Sequence, residues 1–132
     1  MTPQQILTKM RAQRELRVEM GSGRSMTMLL PTELQIQRDL IKLLPGASPD
    51  DPPRATLELD PDTVHEYVVG WAGYTTSDLL GPAGGDDPAP FASVLVQEWL
   101  AEHASDVTTL TSALLTAIND RFKAKAEAEK NS

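Results

Sequence analysis

Paired carboxylates are the residues whose type best suits them to chemistry in this sequence. Asp50-Asp51, Asp60/Asp62 and Asp86-Asp87 could hold a hard cation or share acid and base roles. A hard-cation loop needs several oxygen ligands at fixed offsets around a tight turn. The segments DPDTVHEY and GGDDPAP do not supply that spacing, and Asp60 and Asp62 are explained as helix N-terminal residues complementing the dipole. His65-Glu66 suggests a zinc-protease helix, but that chemistry needs a second histidine four residues on. The only other histidine is His103. No Gly-x-Ser-x-Gly elbow carries a nucleophile. Gly21-Ser22-Gly23 suits a turn. Gly81, Gly84 and Gly85 fit neither a dinucleotide nor a P-loop spacing, in a segment whose acidity repels phosphate. The sequence therefore assigns no catalytic residue, no metal ligand and no cofactor.

Composition points the same way. The 132 residues suit one domain, 1–132, with a modest core. A net charge of −7 disfavours binding to nucleic acid, where cations must displace counterions. Lys9, Arg11, Arg14, Arg17 and Arg24 crowd the first quarter, and a solvated basic face accounts for them. There is no cysteine, so disulfides and thiolate metal sites are excluded. No apolar run is long enough to span a membrane, and the first residues lack a secretory h-region. The expected location is the cytoplasm.

The elements that position these residues are read from periodicity. Ile6, Leu7 and Met10 predict a short amphipathic helix over 3–13. Leu16, Val18 and Met20, then Met26, Met28 and Leu30, alternate on either side of Gly21-Ser22-Gly23, which predicts a β-hairpin over 14–30. Two strands alone are marginal in water, so the hairpin must pack on helices or pair with another chain. Thr32 and Gln35 have capping-box spacing and open an apolar helix expected over 32–44, closed by Pro45-Gly46. Residues 45–56, with four prolines, form a connector.

A helical region is expected over 60–122. Asp60 and Pro61 start a helix whose stripe is Val64, Tyr67, Val68 and Trp71. Thr75 and Thr76 can cap a single turn through Leu80, residues 81–89 are loop, and Pro90 opens a helix bearing Phe91, Val94, Leu95 and Trp99 on one face. After a break at His103–Asp106, Val107, Leu110, Leu114, Ile118 and Phe122 form a last stripe. The tail 123–132 is polar and expected to fray. The fold class is α+β, mainly α-helical, with one N-terminal β-hairpin packed on four or five helices.

Aromatics are scarce, which draws attention to Trp71, Tyr74, Phe91 and Trp99. Packing of the 64–71 helix on the 91–100 helix would place all four in the core, a reading preferred for Trp71 and Phe91. Tyr74, Leu79 and Leu80 fall in a turn less able to bury them and are the better candidates for a partner surface. The candidate partner-binding set is Trp71, Tyr74, Leu79, Leu80 and Phe91. The methionines Met20, Met26 and Met28 would serve either an adaptable contact surface or the inner face of the hairpin, and the inner face is preferred.

Two blocks, RELRVEMGSGRSMTMLLPTELQIQRDL and VVGWAGYTTSDLLGPAGGDDPAPF, together with the terminal helical region, resemble the tail assembly chaperones of long-tailed bacteriophages. The resemblance covers most of residues 14–122, its motifs are loose, and the connector 45–56 has no counterpart in it. It implies a non-enzymatic assembly factor in the host bacterial cytoplasm. Such a factor binds the helical tape-measure protein and tail-tube subunits before the tail polymerises, and it is made in short and frameshifted longer forms. A homo-oligomer is compatible with it. Two other classes compete: a structural virion component such as a tail completion or head–tail connector protein, and a small metal-dependent enzyme using His65 and Glu66.

Overall fold

The computed structural model describes residues 1–130. Its chain order is α1 (Pro3–Ala12), β1 (Glu15–Gly21), β2 (Arg24–Leu29), a single turn α2 (Glu33–Gln35), β3 (Ile41–Leu44), β4 (Arg54–Leu57), β5 (Val68–Ala72), α3 (Thr76–Leu80), α4 (Ser93–Glu102) and α5 (Ala104–Lys130). The protein is mixed α+β with two small antiparallel sheets, ordered β1-β2-β5 and β3-β4.

The alternation of Leu16, Val18 and Met20 with charged residues produces the hairpin as expected. Val18 lies opposite Met26 and Leu16 opposite Met28, so one face is apolar along both strands. That face does not rest on helices alone. β5 pairs antiparallel with β2, Met26 opposite Trp71 and Met28 opposite Val68, and supplies the third strand the hairpin needs. The helix expected over 60–71 is therefore a 3₁₀ turn, Pro61–Tyr67, capped by Asp60, followed by a strand. Val64, Tyr67, Val68 and Trp71 have the i, i+3, i+4 spacing of a helix, but the β-branched and aromatic types over 68–71 suit a pleated surface. Pairing with β2 decides between them.

A second correction concerns 32–44. The Thr32–Gln35 capping box forms, yet the α-helical part ends after one turn. Ile36–Leu40 makes a π turn, closed by the Ile41 N–H bonding to the Ile36 carbonyl. This turn buries Ile36 and Leu40, and Ile41–Leu44 then runs extended against Arg54–Leu57. A four-residue apolar run cannot be divided between helix and strand by periodicity alone. Residues 54–56 of the expected connector thus belong to a strand, and the protein has two hairpins rather than one.

The long C-terminal elements follow the pattern with one correction at their start. Pro90 does not open α4: Ala92 is extended and caps a helix that begins at Ser93, so Phe91 precedes the helix, which ends at Glu102 before the non-helical His103. α5 buries Leu110, Leu114 and Ile118 at four-residue steps. They pack with Val96 and Leu100 of α4, the inner face of the sheet and Ile36, Leu40, Leu59 and Val64 as one core. Met26 and Met28 are fully buried there and Met20 partly so, which settles the methionines as the hairpin's inner face. Past Ile118 the helix leaves the core. Phe122 is at its exposed margin, and 123–130 stay helical in solvent rather than frayed; the last two residues of the expected tail lie outside the described residues. Among the described residues no helix is long and apolar enough to cross a membrane.

Candidate functional site

The segment after β5 is built around a close backbone approach. Gly73 has φ +81°, and a Cβ there would lie 2.2 Å from the Gly23 carbonyl oxygen in the hairpin turn. Only glycine lets the β1–β2 turn touch this loop. Gly84 is similar, with the Thr76 carbonyl oxygen 2.3 Å from where its Cβ would stand. Thr76 holds the 81–89 loop: its hydroxyl donates to the Gly85 carbonyl at 3.0 Å and accepts the Gly85 N–H at 2.9 Å. The Ala89 N–H bonds to the Tyr74 carbonyl at 2.8 Å. Thr75 caps α3 in a capping box with Asp78. Bonding to Thr75 holds the Asp78 carboxyl below the usual aspartate value, with Arg24 adding to the effect.

Inside this loop lies an aromatic network. The Trp71 ring stacks on Tyr74 with centroids 4.5 Å apart and meets Phe91 edge-on at 6.1 Å. Tyr74 meets Trp99 edge-on at 5.2 Å, and Trp99 stacks on His103 at 3.8 Å. Arg24 of β2 sits over both Tyr74 and Trp99, its guanidinium carbon 5.5 and 5.3 Å from their ring centres, and pairs with Asp78 at 3.4 Å. The indole N–H groups are satisfied: Trp71 donates to the Ala89 carbonyl at 3.1 Å and Trp99 to the Asp106 carboxylate at 2.9 Å. His103 Nδ1 meets the Trp99 carbonyl at 2.7 Å. The network ties sheet, loop, α4 and α5 together.

Tyr74 stands at its centre and is only 2 % exposed, so it is unavailable to a partner. This corrects its place among the candidate binding residues. A loop position can be buried when the loop itself is folded back by hydrogen bonds, as Thr76 and Ala89 fold this one. The Tyr74 hydroxyl is buried without a hydrogen-bond partner among the described residues, and burial pushes its pKa up to about 12. Leu79 is partly buried against the core. Trp71 is half-buried, as befits a residue that packs on one side only. Leu80 is 63 % exposed and Phe91, expected to be core, is 38 % exposed. Val94 on the first turn of α4, which sequence reasoning assigned to the core stripe, is 67 % exposed. The i+3 step from Phe91 suggests a shared helical face, but the helix begins only at Ser93, so that spacing does not relate the two side chains.

Other surfaces carry polar character. An apolar cleft of about 450 Å³ lies between Leu30, Pro31 and Ile36 on one side and Ile118 and Phe122 of α5 on the other. A Lys125–Glu33 ion pair spans it, holding the Glu33 carboxyl below and the Lys125 amine above their ordinary values. A groove of about 650 Å³ is lined by the π turn, Glu58–Pro61 and the 3₁₀ turn. The acid pairs do not gather: among the described residues no three His, Cys, Asp or Glu side chains converge as a metal site. His103 is engaged with Trp99, on a different element from His65 and Glu66.

No protein-family model, curated protein or solved structure matches this chain.

Proposed function

We propose that this protein is a non-enzymatic tail assembly chaperone of a long-tailed phage, acting in the host cytoplasm by transient binding to a long helical tape-measure protein, to tail-tube subunits or to both. One observation carries the reading. The 68–91 segment that carries much of the resemblance is folded back on itself by hydrogen bonds and ring stacking, and apolar side chains in it and just after it are exposed, among them Val69, Leu80, Phe91 and Val94. Exposed apolar side chains on a fixed frame suit an amphipathic helix, whose own stripe supplies complementary apolar groups every three or four residues. The functional set is accordingly Trp71, Leu80, Phe91 and Val94, with Tyr74 and Leu79 as support.

The test is co-expression with the products of neighbouring genes. The chain captures a tape-measure protein or tail-tube subunit, and Leu80→Glu with Phe91→Glu abolishes capture while the fold persists. Failure to co-purify with any tail protein counts against the proposal. A second reading, a structural virion component, draws support from the outer edge of β1, which ends the three-stranded sheet and is open to pairing between subunits. Detection of the chain in purified virions would favour it, since a chaperone departs before maturation.

A further inference from the structure

Residues 1–14 differ from the rest of the molecule in charge and in contact. They contain Lys9, Arg11 and Arg14 and no carboxylate; since the whole chain is −7, the remainder bears −10. α1 is closed by its own capping box, Thr2 with Gln5, and none of its residues is buried. Ile6, Leu7 and Met10 share one face and stay in solvent, Ile6 at 46 % and Met10 at 58 % exposure. At 100° per residue, Lys9 and Arg11 flank that stripe on opposite sides. A ten-residue helix is marginal without tertiary packing, so this stripe calls for a covering surface. The root of the helix is fixed. Arg14 Nη1 donates to the Leu30 carbonyl at 2.9 Å, and the Leu30 N–H bonds to the Arg14 carbonyl at 2.7 Å.

The body offers a complement in the 650 Å³ groove beside the 3₁₀ turn, which no residue of α1 lines. Glu58, Asp60 and Glu66 stand around it with Lys42, whose charge also acts on Asp39, while Arg38 is held by Asp39 at 2.9 and 3.0 Å. Leu59, Pro61 and Tyr67 give it apolar lining. The negative field is felt at Tyr67, whose phenol is raised by burial and then by Asp39 and Glu66.

We propose that α1 of one copy docks in this groove of a second copy, setting Ile6, Leu7 and Met10 against Pro61 and the half-buried Tyr67, and Lys9 and Arg11 against Glu58, Asp60 and Glu66. A lipid surface is a poorer occupant for α1. Three aliphatic side chains without an aromatic give weak insertion, and a body of −10 is repelled by anionic headgroups. The same repulsion disfavours nucleic acid. The arm exchange needs no second protein, so it stands or falls apart from the chaperone reading.

The experiment is sedimentation equilibrium on the purified full chain at about 0.05 M and about 0.5 M salt, which bracket weak and strong screening. Expected is a concentration-dependent dimer or larger species at low salt, with a dissociation constant at least about tenfold weaker at high salt. Lys9→Glu with Arg11→Glu, and separately Glu58→Lys with Glu66→Lys, should each give a monomer. An equimolar mixture of the two variants should associate again, because the unchanged arm of one meets the unchanged groove of the other and the reversed arm meets the reversed groove. All four side chains are exposed, so each variant keeps its fold, checked by circular dichroism. A wild-type chain monomeric at every concentration in low salt overturns the proposal. So does self-association unchanged by the arm variant, the lack of rescue in the mixture, or arm-dependent binding to phosphatidylglycerol vesicles without self-association.

Discussion

Tyr74 and Leu80 lie six residues apart in one loop and are used in opposite ways. Around Tyr74, rings, a guanidinium and two carboxylates are locked by stacking and hydrogen bonds, and the chain around Gly73 tolerates no side chain. Leu80 and Val94 are largely in solvent, and Phe91 meets Trp71 edge-on with over a third of its surface exposed. Both regions are rich in apolar groups. The difference teaches that a motif dense in glycine and aromatics can be scaffold, while the apolar groups left exposed around it are a less distinctive set of leucine, phenylalanine and valine.

Substitutions in the frame should cost stability, and substitutions on the outward set should cost binding alone. Trp99→Ala is the largest break expected. Removing a buried indole with its ring contacts should cost about 3–5 kcal/mol, a large share of the about 5–15 kcal/mol that holds a domain folded, and urea denaturation reads it directly. Gly73→Ala comes next at about 2–3 kcal/mol, since a left-handed backbone and a blocked Cβ act together. Asp106→Ala leaves the Trp99 indole N–H without its acceptor and should cost about 1–3 kcal/mol in the same assay.

Tyr74→Phe separates the ring from its hydroxyl. The ring keeps its stacking and the unpartnered buried oxygen disappears, so stability should be unchanged or rise by up to about 1 kcal/mol. It should also flatten the alkaline limb. The hydroxyl ionises at an ordinary value of 10.0 in the unfolded chain and at about 12 in the fold, so the folded state holds the extra proton between them. Stability is full below pH 10 and falls as pH rises towards 12, by a smaller amount in the variant. On the acid side the sign reverses. The lowered Asp78 carboxyl contributes above its ordinary value of 3.8 and loses that contribution as pH falls through its folded value. Asp78→Asn should weaken that part of the acid transition in a pH series of thermal melts. The smallest stability effect belongs to Leu80→Glu, within about 0.5 kcal/mol, because the side chain is already largely in water.

Much of the frame was legible in the sequence where signals were local. The β1–β2 hairpin, the Thr32 and Thr75 capping boxes, the Asp60 cap and the break at His103 depend on neighbours in the chain, and all form. What could not be read depends on distant partners. Val68 and Trp71 continue the helical spacing of Val64 and Tyr67 until β2 claims Val68–Ala72 as a third strand, and Ile41–Leu44 becomes extended because Arg54–Leu57 returns beside it. The candidate surface was half legible for the same reason. Leu80 is outward as its turn suggests. Tyr74 is inward because Ala89 and Thr76 fold the loop over it through bonds made 15 and nine residues away.

Co-expression of this chain with the products of its neighbouring genes, followed by affinity purification and mass spectrometry, tests the central claim most directly. The account predicts that wild type and Tyr74→Phe retain a tape-measure or tube protein, whereas the folded Leu80→Glu/Phe91→Glu variant loses it. Capture that survives the outward substitutions, or no tail protein with any of the three, would contradict the account.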